Sequence, residues 1–195
     1  HAELVSQGRG STKRPGDYRT SQNWIGGERP GVAVFVPPPP HRVAECMGKL
    51  EKFLHDQPER TPTLVKAALA HVQFETIHPF LDGNGRLGRL IIAFLLVEWE
   101  LLPQPLLYLS AYFEQRRSDY YDHLQGVRES GAVNEWLDFF LTGVAEQAVD
   151  AVKRAEALAD LREQFRLRLT GDRSRAIEVV DLVFQNPVLV TTKIA

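Results

Sequence analysis

The chain has 195 residues, a formal net charge of −2 at pH 7 and 44% hydrophobic residues. That content supports a packed core and excludes a disordered chain, and the near-neutral balance excludes any global pull on nucleic acid. A single cysteine, Cys46, excludes an internal disulfide and fits a reducing compartment, so a cytoplasmic location is expected. The length suits one domain with at most a fragment of a second.

The first forty residues hold most of the turn chemistry: Gly8, Gly10, Pro15-Gly16, Gly26-Gly27, Pro30-Gly31 and Pro37 to Pro40. Between these breakers, Gln22 to Ile25 and Val32 to Val36 are extended candidates. Joined across Gly26 to Gly31, they predict a β-hairpin with a loose tip. Pro40 leads into a helix whose apolar positions Val43, Met47, Leu50 and Leu54 recur at helical spacing. Thr61 as cap, with Pro62 in the first turn, starts a second helix that ends at about Ile77, because Pro79 disfavours helical geometry at His78. A largely apolar helix from about Arg86 to Leu101 is stopped by Pro103, and its apolar circumference places it at the centre of a bundle. Its run from Leu87 to Val97 is far shorter than the ~20 residues of a membrane span, so no membrane partner is expected. Helices over roughly Ala111 to Glu129 and Val133 to Leu169 follow, the latter with an interruption expected near Gly143. Ser174 caps a last short helix that ends before Pro187. The expected fold class is all-α, with one β-hairpin.

Between the second and third helices, His78 to Arg89 read His-Pro-Phe-Leu-Asp-Gly-Asn-Gly-Arg-Leu-Gly-Arg. A glycine-framed turn that opens a helix can hold a phosphate through backbone N–H groups and the positive end of the helix dipole. Arg86 and Arg89, three apart, share a helix face and can grip one polyphosphate. His78 ends one helix while Asp82 to Asn84 begin the next, which puts a base on the wall of a cup with anion-binding amides as its floor. Phe80 between them serves as an anchor with its ring in the core. Asp82 is a hard oxygen donor suited to Mg²⁺.

Other readings of the same residues fail on context. Gly83-x-Gly85-x-x-Gly88 matches a dinucleotide fingerprint, but a helix precedes it and no parallel-sheet pattern surrounds it. Glu75-x-x-His78 is half of a di-iron site whose second half is missing from the sequence. His71, Glu75 and His78 share a face, yet the histidines are roughly 10 Å apart and zinc would need further ligands. A capped turn with no chemistry would leave costly buried charges.

The run resembles the signature of the Fic family, His-x-Phe-x-Asp/Glu-Gly-Asn-Gly-Arg-x-x-Arg. It matches at His78, Phe80, Asp82, Gly83, Asn84, Gly85, Arg86 and Arg89. The likeness extends to Gly16-Asp17-Tyr18-Arg19 and Gln22 to Gly27, similar to the family's flap hairpin (about 16–37), and to Val36 to Pro40, which resembles the stretch leading from it. Tyr120-Tyr121 is similar to the aromatic pair at the adenosine end. The resemblance implies a helical Fic domain over 1–170 that transfers AMP from Mg-ATP to a Ser, Thr or Tyr hydroxyl of a target protein. It implies His78 as general base, Asp82 as magnesium ligand, and Gly83, Asn84 and Gly85 as the phosphate cradle. Arg86 would hold the β-phosphate side and Arg89 the γ-phosphate, with Leu87 and Gly88 in the same nucleotide-binding stretch. Ile25, Gly26 and Gly27 would clamp the target backbone by strand addition.

Gly85 departs from the kinase-like Doc branch, which has lysine there, and Gly83 departs from the phosphocholine-transferring branch. Removal of AMP by the same site remains open. The family's inhibitory motif, Ser/Thr-x-x-x-Glu-Gly/Asn, is absent, since Gln147 follows Glu146 in Thr142-Gly143-Val144-Ala145-Glu146. The resemblance implies that this helix lies N-terminal of the chain, and that 171–195 begin a winged helix-turn-helix through which DNA would be reached. The implied partners are ATP, a target protein, with the chain itself among the candidates, and a second copy in a homodimer. The alternative function is an ATP-sensing regulatory module linked to a DNA-binding domain.

Overall fold

The computed structural model describes residues 1–27, 29–55, 61–170 and 175–186. The expected cap Ser174 and the stop Pro187 lie outside them. The chain divides into two compact units, His1–Gln147 and Ala148–Ala195.

In the first unit, a 3-10 turn at Pro40–Arg42 feeds α1 (Val43–Leu54), which buries Val43 and Leu50. Next comes α2 (Thr63–Ile77), whose N-cap is Pro62 rather than Thr61. Nine of its fifteen residues are buried, including Ala67, Ala68 and Ala70, whose small side chains let neighbouring helices approach closely. By contrast α3 (Asn84–Glu98) buries only Asn84, Gly88, Ile92 and Leu96, a single stripe at every fourth residue, while Phe94 on the far side is exposed. The centre of the bundle is therefore α2, not α3 with its longer unbroken apolar run. Apolar composition did not reveal this because α2 carries Lys66, His71 and Glu75 buried among its alanines.

The helix expected over Ala111 to Glu129 is two helices, α4 (Leu109–Gln115) and α5 (Arg117–Ser130). Arg116 breaks the run at φ −114°, ψ 46°, lying over the Tyr112 ring at 4.3 Å and bonding Glu146 Oε2 at 3.0 Å. Gly131, at φ 69°, ends α5 with its N–H on the Val127 carbonyl. The next helix, α6 (Val133–Arg168), is unbroken at Gly143. A methyl there would stand 2.6 Å from Tyr112 Cδ1, so the glycine makes room for a ring instead of ending a helix. Two apolar clusters meet on α2. One joins Ala67 and Val72 to Ile92, Phe113, Trp136 and Phe140; the other joins Phe74 and Ile77 to Val43, Leu50 and Phe80.

The hairpin expected over residues 22–36 contracts to one antiparallel bridge, Ile25 to Phe35, and the described residues contain no strand. Val32 belongs to a 3-10 turn, Pro30–Val32, instead of the second strand. Gly26 and Gly27, at φ 65° and 98°, turn the backbone away before a ladder can extend. The fold is all-α.

In the second unit, the end of α6 is accompanied by α7 (Ala176–Gln185). Asp181 bonds Arg162 at 2.7 Å and Arg166 at 3.1 Å. None of the described helices is long and apolar enough to cross a membrane.

Candidate active site

The α2–α3 junction turns on His78, which caps α2 in the left-handed region at φ 50°, ψ 60°. A non-glycine residue there is strained and persists only where its surroundings fix it. Here they do. The guanidinium of Arg19 donates through Nε to the His78 carbonyl at 2.9 Å and through Nη2 to the Pro38 carbonyl, while its own N–H bonds the Pro79 carbonyl. Asn84 clasps the loop from the other side. Its Oδ1 accepts the Phe80 N–H at 2.9 Å, and its Nδ2 donates to the Phe80 carbonyl at 2.7 Å. Asn23 adds a bond to the same carbonyl at 3.0 Å. The Phe80 ring is buried with Val43, Phe74 and Ile77, as an anchor should be.

Gly83, at φ 84°, is the N-cap of α3, and no side chain caps the helix, so its first-turn amides keep their hydrogen-bonding capacity. Asp82 Oδ1 takes the Gly83 N–H at 2.5 Å. The other carboxylate oxygen pairs with Arg9 at 3.1 Å, and these contacts hold the carboxyl below the usual carboxylate range. Arg86 donates to the Arg9 carbonyl at 2.7 Å. Residues 1–17 thus form a strap over the loop. Val5 is fully buried, and His1 stacks on Phe80 at 3.7 Å and bonds the Asp82 carbonyl. Nothing in the turn-rich composition of this segment announces that packing.

These elements enclose a cavity of about 610 Å³. His78, Asp82, Gly83, Asn84, Gly85, Arg86 and Arg89 line one side of it, with Arg117, Tyr120, Tyr121 and Arg128 from α5 and Ile25 and Gly26 from the flap. Leu87, Gly88 and Gly27 do not line it. Gly88 faces α2, where its carbonyl meets His71 Nδ1 at 3.0 Å, and Gly27 abuts the Val32 carbonyl. The Asn84 side chain is spent on the loop. The two tyrosines differ: Tyr121 is half exposed with Arg117 over its ring, while Tyr120 is buried against Phe113 at 4.6 Å and shares its hydroxyl with His71 Nε2 at 2.9 Å.

Burial dominates the electrostatics. His78 is lowered to about 4 by desolvation, with Arg128 and Arg19 acting the same way, so the imidazole is neutral and able to take a proton at neutral pH. Glu75 is pushed up to about 7 by burial, against the pull of Arg89 and Arg128. Several groups that hold or border the cavity were not singled out for it from the sequence, among them Arg9, Arg19, Glu75, Arg117 and Arg128. Arg128 donates to the Glu75 carbonyl at 3.1 Å and covers the Phe35 ring at 4.2 Å. The described residues contain no cluster of three or more His, Cys, Asp or Glu that could hold a metal. Asp82 is the carboxylate beside the first-turn amides of α3, a donor set that fits magnesium brought in with phosphate oxygens and does not fit a protein-built cage.

A profile of the Fic/DOC family matches residues 1–96. The chain is 42% identical over 89 residues to a probable protein adenylyltransferase of Aquifex aeolicus strain VF5, covering 45% of this chain and 26% of that protein. It is 32% identical over 136 residues to the protein adenylyltransferase Fic of Drosophila melanogaster, covering 69% of this chain and 25% of that protein. The chain therefore spans about a quarter of the length of these relatives. A crystal structure of a Fic family protein from Desulfovibrio desulfuricans G20 superposes with a TM-score of 0.67 at 30% identity, over 79% of this chain and 45% of that one.

Proposed function

We propose that this chain, which belongs to the Fic/DOC family, transfers AMP from Mg-ATP to a hydroxyl of a target protein. One observation carries the reading: a neutral His78 and the uncapped start of α3, with Arg86 and Arg89, face the same cavity. The amides of Gly83 to Gly85, that of Gly83 once Asp82 releases it, cradle the α- and β-phosphates, and the two arginines hold the β- and γ-phosphates. Tyr121 offers a face to the adenine, with Tyr120 behind it. Ile25 and Gly26 receive the target segment beside the flap bridge. Asp82 is the residue that would hold magnesium, which when bound neutralises phosphate charge. To reach it, Asp82 must release Arg9.

His78 takes the proton of the target hydroxyl. The hydroxyl oxygen then bonds to the α-phosphorus, and the bond from that phosphorus to the α–β bridging oxygen breaks. Pyrophosphate leaves with the electron pair, while the α3 amides stabilise charge on the oxygens around phosphorus. The test is incubation of the chain with ATP labelled at the α-phosphate and with magnesium, with self-modification and modification of a cell extract as readouts. Label should enter protein and should fall by ~10²–10⁴-fold in His78→Ala, with ATP affinity kept within about tenfold. Full labelling by His78→Ala would refute His78 as the base. ATP binding without transfer by the folded chain would refute the enzyme reading in favour of a nucleotide sensor.

A further inference from the structure

The buried carboxyl of Glu75 has no part in the chemistry above, yet its position is costly. Its side chain is 7% exposed, and Oε1 has no hydrogen-bond partner. His78 Nδ1, one helical turn on, is likewise buried without a partner. The same carboxyl faces the ring through its other oxygen, with Glu75 Oε2 3.9 Å from His78 Nδ1. An unpaired polar atom in a protein interior costs roughly 1–3 kcal/mol, so two left open side by side point to a bond made in the working state. Catalytic hydrogen bonds are commonly long before the ligand arrives, and a small side-chain rotation closes this one.

We propose that Glu75 is the positioning residue of His78, accepting the Nδ1–H so that the other ring nitrogen faces the cavity unprotonated and ready to take the hydroxyl proton. The inference rests on the transfer reading above and deepens it. An imidazole has two tautomers, and only the one with hydrogen on Nδ1 leaves Nε2 as the base. When Nε2 takes the proton, the ring becomes a cation in a setting that opposes it, through burial first and then through Arg128 and Arg19. The Glu75 backbone carbonyl favours that charge but already takes Arg128, and Asp82 favours it more weakly and is engaged by Arg9. Glu75 is the anion on the buried side of the ring. The groups facing Glu75 are His78 and, from the helices packed on it, Arg89 of α3 and Arg128 and Tyr120 of α5. The arginines favour its charged form while burial opposes it, which leaves it near about 7. The structure also keeps space for the carboxyl: a methyl group at Gly88 would collide with Oε1. The competing acceptor for Nδ1–H is the Glu75 backbone carbonyl, which already takes Arg128 Nη2 at 3.1 Å.

The test uses the full chain with ¹⁵N-labelled histidine and the Glu75→Gln variant. In the unaltered chain, His78 should show the Nδ1–H tautomer, with its ring nitrogens responding to an ionisation near pH 7. The transfer rate should rise through the same pH. Glu75→Gln should keep the KM for ATP within about threefold, lower kcat by about 10²-fold, and lose both the ring response and the rise in rate. A residue that merely supports the fold would not move the pH profile. An Nε2–H tautomer in the unaltered chain overturns the proposal, because Nδ1 then has no hydrogen to give; a Gln variant with unchanged kcat and pH profile overturns it too, and returns Nδ1–H to the Glu75 backbone carbonyl. If the variant does not fold, the spectrum of the unaltered chain decides alone. If the chain transfers no AMP, the spectrum still decides the Glu75–His78 contact, so that failure belongs to the function reading.

Discussion

Acid should destabilise the first unit in a way that one substitution cancels. His71 and His78 are buried and held at about 4, below their ordinary 6.5, while Glu75 is buried and raised from 4.5 to about 7. Each histidine is neutral when folded, so unfolding below pH 6.5 takes up a proton at each. Their stabilisation is complete above 6.5 and lost as pH falls toward 4. Glu75 works the other way: it stays protonated when folded, so its contribution is complete below 4.5 and lost as pH rises through 7. Between pH 6.5 and 4.5, unfolding therefore takes up two protons and releases one, a net uptake of about one. At about 1.4 kcal/mol per pH unit for each proton, stability should fall by about 3 kcal/mol across that window. His71→Gln removes one uptake while its amide can still meet the Gly88 carbonyl or the Tyr120 hydroxyl. Its stability should be lower at pH 7, but nearly independent of pH from 6.5 to 4.5. Urea unfolding at half-unit pH steps, followed by fluorescence to which the buried Trp136 contributes, measures both slopes. Equal slopes in the two proteins would refute the reasoning, because His71 would then be protonated alike in the folded and unfolded states.

Two further substitutions probe the packing around the site. Gly88→Ala places a methyl against Glu75 Oε1 and 3.2 Å from Phe74 Cδ1, both buried, and should cost about 1–3 kcal/mol in thermal or chemical unfolding. A neutral result would mean that Glu75 has somewhere else to go. Arg9→Ala frees the Asp82 carboxylate from a partner whose own side chain is 86% exposed. Such pairs are worth at most about 1 kcal/mol, so the magnesium concentration for half-maximal transfer should fall by no more than about fivefold. A rise would show that Arg9 assists the metal instead of competing with it.

Apolar spacing and proline marked where helices lie and end, because those signals are local. Val43 and Leu50 mark α1, and Pro79 marks the end of α2 at Ile77. Features decided by distant partners were not legible. The split between α4 and α5 depends on Arg116 reaching Glu146, thirty residues on, and Gly143 is a glycine because Tyr112 lies against it. The hairpin was overread for a related reason. Alternating apolar residues mark a strand only if the backbone stays extended, and Gly26, Gly27 and the turn at Pro30–Val32 prevent that.

The site divides between groups that face the cavity and groups that hold them. Facing groups are selected for their chemistry, so His78, Asp82, Gly83, Gly85, Arg86 and Arg89 stand out as residue types in a fixed order. Holding groups are selected by adjacency in space and carry no such order. Arg19 grips the carbonyl of His78 across 59 positions, and Arg128 grips that of Glu75 across 53. In sequence each is one arginine among many; in the structure they surround a neutral histidine with positive charge. Burial first and that charge second keep His78 unprotonated at rest, but both also resist the proton that the proposed transfer gives it. A site built this way needs a negative group on the buried side of the ring. Among the described residues Glu75 is the only buried carboxylate, and it stands there.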